Sequence, residues 1–378
     1  MEATIRIPLS YWELDQYFKN IDYAVIGAGI VGLSCAMALK EKHPDARVLV
    51  LERGLLPQGA STKNAGFACF GSISELLDDM NFHTEEEMVD LVRQRYLGIQ
   101  LLRKTLGDKS IGYKPHKGYE LFLKGDPDFF EACLENRKRL NKLLKPVFKK
   151  KVFKVRENGF GFAGIQDHYL VNTFEGQLNT GKMMNSLYKK CIKKGVKVLF
   201  GVELEDYVQL NGKVILKTPQ IEFSADNLLV ATNGFAGRLL NEDVRPARAQ
   251  VLITSPIKNL KVKGTFHLDK GYYYFRNIHN RILLGGGRNL DFEGENTADF
   301  GETATIQNRL DQLLREVILP GQEYEVEHRW SGIMGLGINK EPIVKPLTNN
   351  VFCGVKLGGM GVAIGSHTGH ALAKLAVS

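Results

Sequence analysis

Tyr23-Ala24-Val25-Ile26-Gly27-Ala28-Gly29-Ile30-Val31-Gly32-Leu33 is the stretch on which the reading of this chain turns. A short apolar run stops at glycine, and Leu33 to Lys42 continues with the Ala, Leu and Met content of a helix that His43-Pro44 ends. Val48-Leu49-Val50-Leu51 then reads as a second buried strand, with Glu52 directly after it. Strand, glycine turn, helix and strand make half of a parallel α/β unit. In the spacing Gly27-x-Gly29-x-x-Gly32 the first glycine permits the tight turn. The second lets the backbone approach a pyrophosphate, and the third seats the helix against the strand. The helix start offers phosphates unpaired N–H groups and the positive end of its dipole. Glu52, twenty residues after Gly32, can accept hydrogen bonds from both ribose hydroxyls, and its charge disfavours a 2′-phosphate. Gly27, Ala28, Gly29, Ile30, Val31, Gly32, Glu52 and the adjoining Arg53 are therefore the expected dinucleotide contacts.

Three later segments favour FAD over NAD. Gly59-Ala60-Ser61-Thr62-Lys63-Asn64-Ala65-Gly66 is small, hydroxyl-bearing and bounded by glycine, so it can wrap over the pyrophosphate and approach a ring system. Ala231-Thr232-Asn233-Gly234 ends a later strand of the same sheet. Gly358-Gly359-Met360-Gly361 precedes a helix expected over Ser366 to Val377, whose dipole would stabilise negative charge on a reduced flavin. An NAD enzyme has no need of this second glycine turn.

Working outward, a helix follows the capping box Thr84 to Glu87 and runs from Met88 to Lys104. Another starts at Asp126-Pro127 and reaches about Lys145, where Pro146 closes it. A third spans Lys182 to Lys194, apolar on one face and lysine-rich on the other. Strands are expected over Val196 to Phe200, Val202 to Leu210, Lys213 to Lys217, Asn227 to Ala231, Tyr272 to Arg276, Arg281 to Gly285 and Val351 to Val355. Asn211-Gly212 marks a hairpin. With no repeat and no linker, the pattern implies two domains interleaved along the chain.

Composition narrows the class further. Over 378 residues, 44% hydrophobic and 24% charged content excludes a disordered, collagenous or membrane-embedded chain. A net charge of +8 permits an anionic partner without demanding one. The five cysteines are scattered, with no C-x-x-C pair, and read as reduced thiols of a cytoplasmic protein with no metal site. The uncharged run Tyr23 to Leu39 is too short and too glycine-rich for a transmembrane segment, and no basic region precedes it.

In this order the motifs resemble the D-amino-acid-oxidase-like (DAO) superfamily of FAD-dependent oxidoreductases, which includes glycine and sarcosine oxidases. The resemblance spans nearly the whole chain and also takes in the Tyr272 to Gly287 segment, Arg329-Trp330-Ser331-Gly332 and the run from Gly358 to Gly369. The 59–66 and 273–287 segments most resemble the branch containing gamma-glutamylputrescine oxidoreductase. The resemblance implies an α/β fold: a discontinuous Rossmann-like FAD-binding domain (1–80, 170–240 and 325–378) and an interleaved α+β substrate domain on a mixed or antiparallel sheet (81–169 and 241–324). It implies FAD contacts from Ala60, Ser61, Thr62, Asn64, Ala65, Gly66, Thr232, Asn233, Gly234, Gly359, Met360, Gly361 and Val362, and from the Val202 backbone to the adenine. Three departures stand out. Met334 occupies the position where amino-acid-oxidising relatives place an arginine for the substrate carboxylate. No cysteine lies between Cys191 and Cys353, so FAD is expected to bind without a covalent link. The lysine that related oxidases use to activate oxygen is also missing, since Ile282-Leu283-Leu284-Gly285 fills that stretch. This favours a dehydrogenase and leaves the electron acceptor, O2 or another, open.

The expected substrate is a small amine or amino-acid-like molecule, oxidised at the C–H next to nitrogen by hydride transfer to the flavin. A 2-hydroxy-acid dehydrogenase and an RNA-associated or non-catalytic dinucleotide-binding protein are the alternatives. Tyr273, Arg276, Lys356 and Met360 are the candidate catalytic residues. Their plainer readings are a sheet face against the core, a surface ion pair and a solvated lysine. His267 and His328 read as structural hydrogen-bonders and Trp330 as core. The basic run Lys149-Lys150-Lys151 with Lys154 and Arg156 reads as an exposed β segment rather than a nucleic-acid site.

Overall fold

Ile21–Ile26 is buried along most of its length, as a strand inside a parallel sheet must be. It pairs in parallel with Val48–Glu52 on one side and Ile221–Val230 on the other. Lys197–Phe200 extends the sheet beyond Val48–Glu52, and Val351–Val355 joins the far end of Ile221–Val230, both in parallel. The hairpin Asp206–Leu210 and Lys213–Lys217 adds antiparallel strands, giving a mixed sheet of nine strands among the described residues. The computed structural model describes residues 4, 5 and 7–377. Residues 1–3, 6 and 378, within the expected 1–80 and 325–378 ranges, lie outside them.

One face of this sheet is covered by three helices: Ile30–Lys42, Thr180–Lys193 and Gly361–Ala376. Ile30 to Leu39 are all buried, which explains why the first of these is apolar around its whole circumference. A second sheet of eight strands runs in the order 326–336, 245–254, 281–286, 273–278, 265–268, 118–121, 168–172, 153–157. It is antiparallel except where Gly118–Leu121 runs parallel to Thr265–Leu268. Its own core is aromatic, with Phe266 and Phe275 stacked 4.6 Å apart. Among the described residues no helix is long and apolar enough to cross a membrane.

Several sequence expectations need correction. Val326–Leu336 pairs with Arg245–Thr254, so the expected boundary at 325 groups a strand of the second sheet with segments of the nine-stranded one. His168–Asn172 likewise pairs with Gly118–Leu121 and Phe153–Glu157, so the boundary at 170 cuts a second-sheet strand. Residues 202–205 are not strand: the Val202 N–H donates to the Glu52 carbonyl at 3.0 Å, and pairing begins only at Asp206. The last helix starts at Gly361, five residues before Ser366, because the glycine turn feeds directly into it. Lys149 to Lys151 precede the strand, and Lys149 ends a short turn in left-handed backbone (φ 56°). Pro146 sits inside that turn, after the preceding helix has ended at Leu143. The Asn211-Gly212 hairpin is present, with both residues at positive φ (52° and 76°) as its tight turn requires.

Candidate functional site

Between the two sheets runs a trough of about 650 Å³, within the size range of small-molecule and cofactor sites. Its first half is built from backbone. Gly27 turns at φ 103°, and a Cβ there would sit 2.8 Å from the Ala231 carbonyl oxygen. A Cβ on Gly32 would meet the Gly27 carbonyl at 1.9 Å, so only glycine lets the helix seat against the turn. The Ile30 N–H donates to Ser61 Oγ at 3.0 Å, binding the 59–66 loop to the helix start. Glu52 accepts from the Ala28 N–H through Oε2 and the Gly54 N–H through Oε1, both at 3.1 Å, which fixes its carboxylate at the edge of the trough. Thr232 lines the trough with a buried hydroxyl that has no partner among the described residues. Beyond it, Gly358 and Gly359 face open space where any Cβ would point, and the Asn233 side chain accepts the Leu357 N–H at 3.1 Å.

Of the sequence-predicted cofactor contacts, Ala28, Gly32, Thr62 and Gly234 stand behind the wall, and the others line the trough. Thr62 donates its hydroxyl to the Pro57 and Gly59 carbonyls, and Gly234 lies against the Met334 carbonyl. The glycine cradle, the anchored Glu52 and the orphan Thr232 hydroxyl together fit a dinucleotide such as FAD.

The candidate catalytic residues divide. Met360 lines the trough; Tyr273, Arg276 and Lys356 do not. Strand alternation sends Tyr273 into the aromatic core beside Phe275, and its neighbours Tyr272 and Tyr274 face the trough instead. Arg276 is buried behind Gly66, with Nη2 2.9 Å from where a Gly66 Cβ would be. Its Nε has no partner among the described residues, and burial pulls its pKa down to about 9. Lys356, at φ 65°, passes beneath Gly337 and donates to Asn339 Oδ1. Trp330 is half-buried, packs against the small core of Ala65, Val251 and Leu283, and donates from Nε1 to the Lys63 carbonyl at 2.9 Å, which tethers the 59–66 loop. His328 is exposed and stacks on Trp330.

Sequence reasoning missed a buried charge network in the second half. His267 lines the trough, with Nε2 3.0 Å from Glu175 and Nδ1 3.5 Å from Glu75. Burial alone would lower its pKa, but the Glu175 carboxylate outweighs this, helped by Glu75 and Glu120, and lifts it to about 9. Glu120 is fully buried, which raises its pKa to about 7 against hydrogen bonds from the Ser74 and Ser72 hydroxyls. Phe67 meets both His267 and Tyr274 edge to face, at 5.3 and 5.7 Å. The one available signal was Ser72-x-x-Glu75, a capping box that places Glu75 on the first turn of Ile73–Asp79.

Comparison with known proteins fits this geometry. Residues 22–375 match a family described as DAO, FAD dependent oxidoreductase. The chain belongs to that family, and is an FAD-dependent oxidoreductase. A probable oxidoreductase, OrdL, from Haemophilus influenzae is 22% identical over 94% of this chain and 83% of its own length. Glycine oxidase from Geobacillus kaustophilus has the same fold, with TM-score 0.74, 18% identity and 95% of each chain covered. Iminodiacetate oxidase from a Chelativorans species superposes with TM-score 0.73 at 20% identity, over 94% of this chain and 95% of that one.

Proposed function

We propose that this protein oxidises the C–H bond next to the nitrogen of a small amine or amino-acid-like substrate, with FAD held without a covalent link. The observation that carries the reading is continuity: one trough joins the glycine cradle to an aromatic, charge-lined chamber. The printed names of the structural neighbours, glycine oxidase and iminodiacetate oxidase, support amine chemistry. We assign the nine-stranded sheet to the cofactor and the eight-stranded sheet to the substrate. All five cysteines are free and buried, which accords with a reducing compartment such as the cytoplasm. Cys69 lines the trough, and burial holds its thiol pKa well above the ordinary value, so it offers little thiolate for attachment.

When bound, the flavin supplies the two-electron acceptor for a hydride. The chain's own part is placement. The start of Gly361–Ala376 aims backbone N–H groups and a dipole at the end of the trough near Met360. Phe67 and Tyr274, packed edge to face, form an apolar corner that excludes water and orients the substrate. The visible spectrum of the purified protein, followed by anaerobic mixing with N-alkyl amino acids, simple amines and 2-hydroxy acids, tests the reading. Bleaching by amines is expected; bleaching by 2-hydroxy acids alone overturns it.

A further inference from the structure

Among the described residues the fold buries three basic side chains besides His267: Arg95, Arg276 and Lys356. Two of them have partners. Arg95 pairs with Asp79 at 3.3 Å and donates to the Phe70 carbonyl at 3.1 Å, and Lys356 donates to Asn339 Oδ1. Arg276 is only 2% exposed, yet its guanidinium makes no ion pair and no hydrogen bond among the described residues. Burial lowers its pKa to about 9, which still leaves it protonated at neutral pH. A guanidinium in a dry interior is costly unless an anion faces it.

Its position indicates which anion that is. Near one end of the 59–66 loop, Ser61 accepts the Ile30 N–H at the helix start, where the glycine cradle lies. Just past the other end, Phe67 meets Tyr274 in the chamber at 5.7 Å. A ligand that runs from the cradle into the chamber passes Gly66, which lines the trough between them. A Cβ on Gly66 would lie 2.9 Å from Arg276 Nη2, so a single peptide separates the guanidinium from the trough. The other cations are placed differently. Lys270 and Lys340 line the chamber with side chains 46% and 44% exposed, where water and salt screen them. Arg288 is half-buried and covers the Phe292 ring at 4.9 Å, and Lys63 reaches over Phe300 at 5.5 Å. His267 faces two carboxylates. The unscreened, unpaired charge beside the loop is that of Arg276.

We propose that Arg276 acts across Gly66 as the resident positive charge for the reduced cofactor, and so raises the two-electron potential of the bound FAD. Hydride transfer breaks the substrate C–H bond and delivers one proton and two electrons to the ring. The ring gains one negative charge, and the substrate nitrogen gains one positive charge. A buried unit charge within roughly 8 Å of the ring favours its anionic form by more than tenfold. Arg276 touches neither substrate nor cofactor; it sets the field in which the cofactor works. The inference rests on FAD binding alone and goes beyond the amine-oxidising reading.

The FAD-loaded wild type, Arg276→Met and Arg276→Lys, each equilibrated anaerobically against a reference dye, give the potential without any substrate. The methionine variant is expected to lower the equilibrium constant for reduction at least tenfold, about 30 mV for a two-electron couple. Arg276→Lys, which keeps the charge, is expected to recover most of that loss. A smaller fall, or a lysine variant no better than methionine, overturns the proposal. A lower urea midpoint with an unchanged potential marks a packing role and also overturns it. If Arg276→Met does not retain FAD, Arg276→Gln takes its place and proton uptake by the wild type is read as well. At pH 6, reduction with one proton taken up supports the resident charge, and reduction with two overturns it. Bleaching only by 2-hydroxy acids would sink the amine reading and leave this result standing.

Discussion

The two ends of the trough are made of different material. At the glycine end the surface is main chain: turns at Gly27 and Gly359, the N–H that Ile30 gives to Ser61, the backbone clamp on Glu52. At the chamber end it is side chains from distant segments, with Glu75, Glu120, Glu175 and His267 meeting behind one wall. At Gly27 and Gly32 the backbone tolerates no added atoms, so the first end suits a single large ligand. Side chains can be exchanged at a cost in stability, so the second end is where related proteins can differ in what they take.

The sharpest way to break this contrast is Gly32→Val, which drives a side chain into the Gly27 carbonyl. Complete loss of FAD uptake is expected, read as absorbance of the purified protein. His267→Leu comes next, leaving the Glu175 carboxylate buried without its imidazole partner. It should cost about 3–5 kcal/mol in urea unfolding, and adding Glu175→Gln should restore part of the loss. The third test is pH. Glu120 binds its proton more tightly folded (about 7) than its ordinary value of 4.5 allows, so its contribution is complete below pH 4.5 and lost as pH rises through 7. His267 behaves alike in a higher window, complete below 6.5 and lost through about 9. Urea unfolding from pH 5 to 9.5 should show stability falling in both windows, and Glu120→Gln should flatten the first, worth roughly 3 kcal/mol. Lys340→Ala is milder, below about 1 kcal/mol, because Asp79 keeps Arg95 at 3.3 Å. Lys150→Gln, on an exposed turn, should stay within about 0.5 kcal/mol and leave FAD content untouched.

The same contrast explains what could be read in advance. Gly27, Gly29 and Glu52 were legible because turn, helix start and strand end lie within one short βαβ segment, where spacing fixes geometry. The 59–66 loop and the 358–361 turn were legible for the same local reason. Tyr273 was misplaced by one residue of alternation: Tyr272-Tyr273-Tyr274 gives no hint of which face is core, and only the stacked Phe266 and Phe275 decide it. Arg276 and Lys356 carried the right charge in the right region, yet each is directed behind the wall, under Gly66 and Gly337. The His267 network was invisible because its carboxylates come from three separate segments that only tertiary pairing joins. The sheet to which Val326–Leu336 belongs was illegible for a related reason, since it resembles a terminal strand of either sheet until its partner, Arg245–Thr254, is known.

The floor of the cradle is finished by Val351–Val355 and by the helix that starts at Gly361, although the cradle itself begins at Gly27. A nascent polypeptide therefore has nowhere to lodge its vitamin-derived pigment until the helix that starts at Gly361 has emerged. Riboflavin scarcity would be felt after synthesis, as a pool of colourless chains with an open crevice for proteases to find.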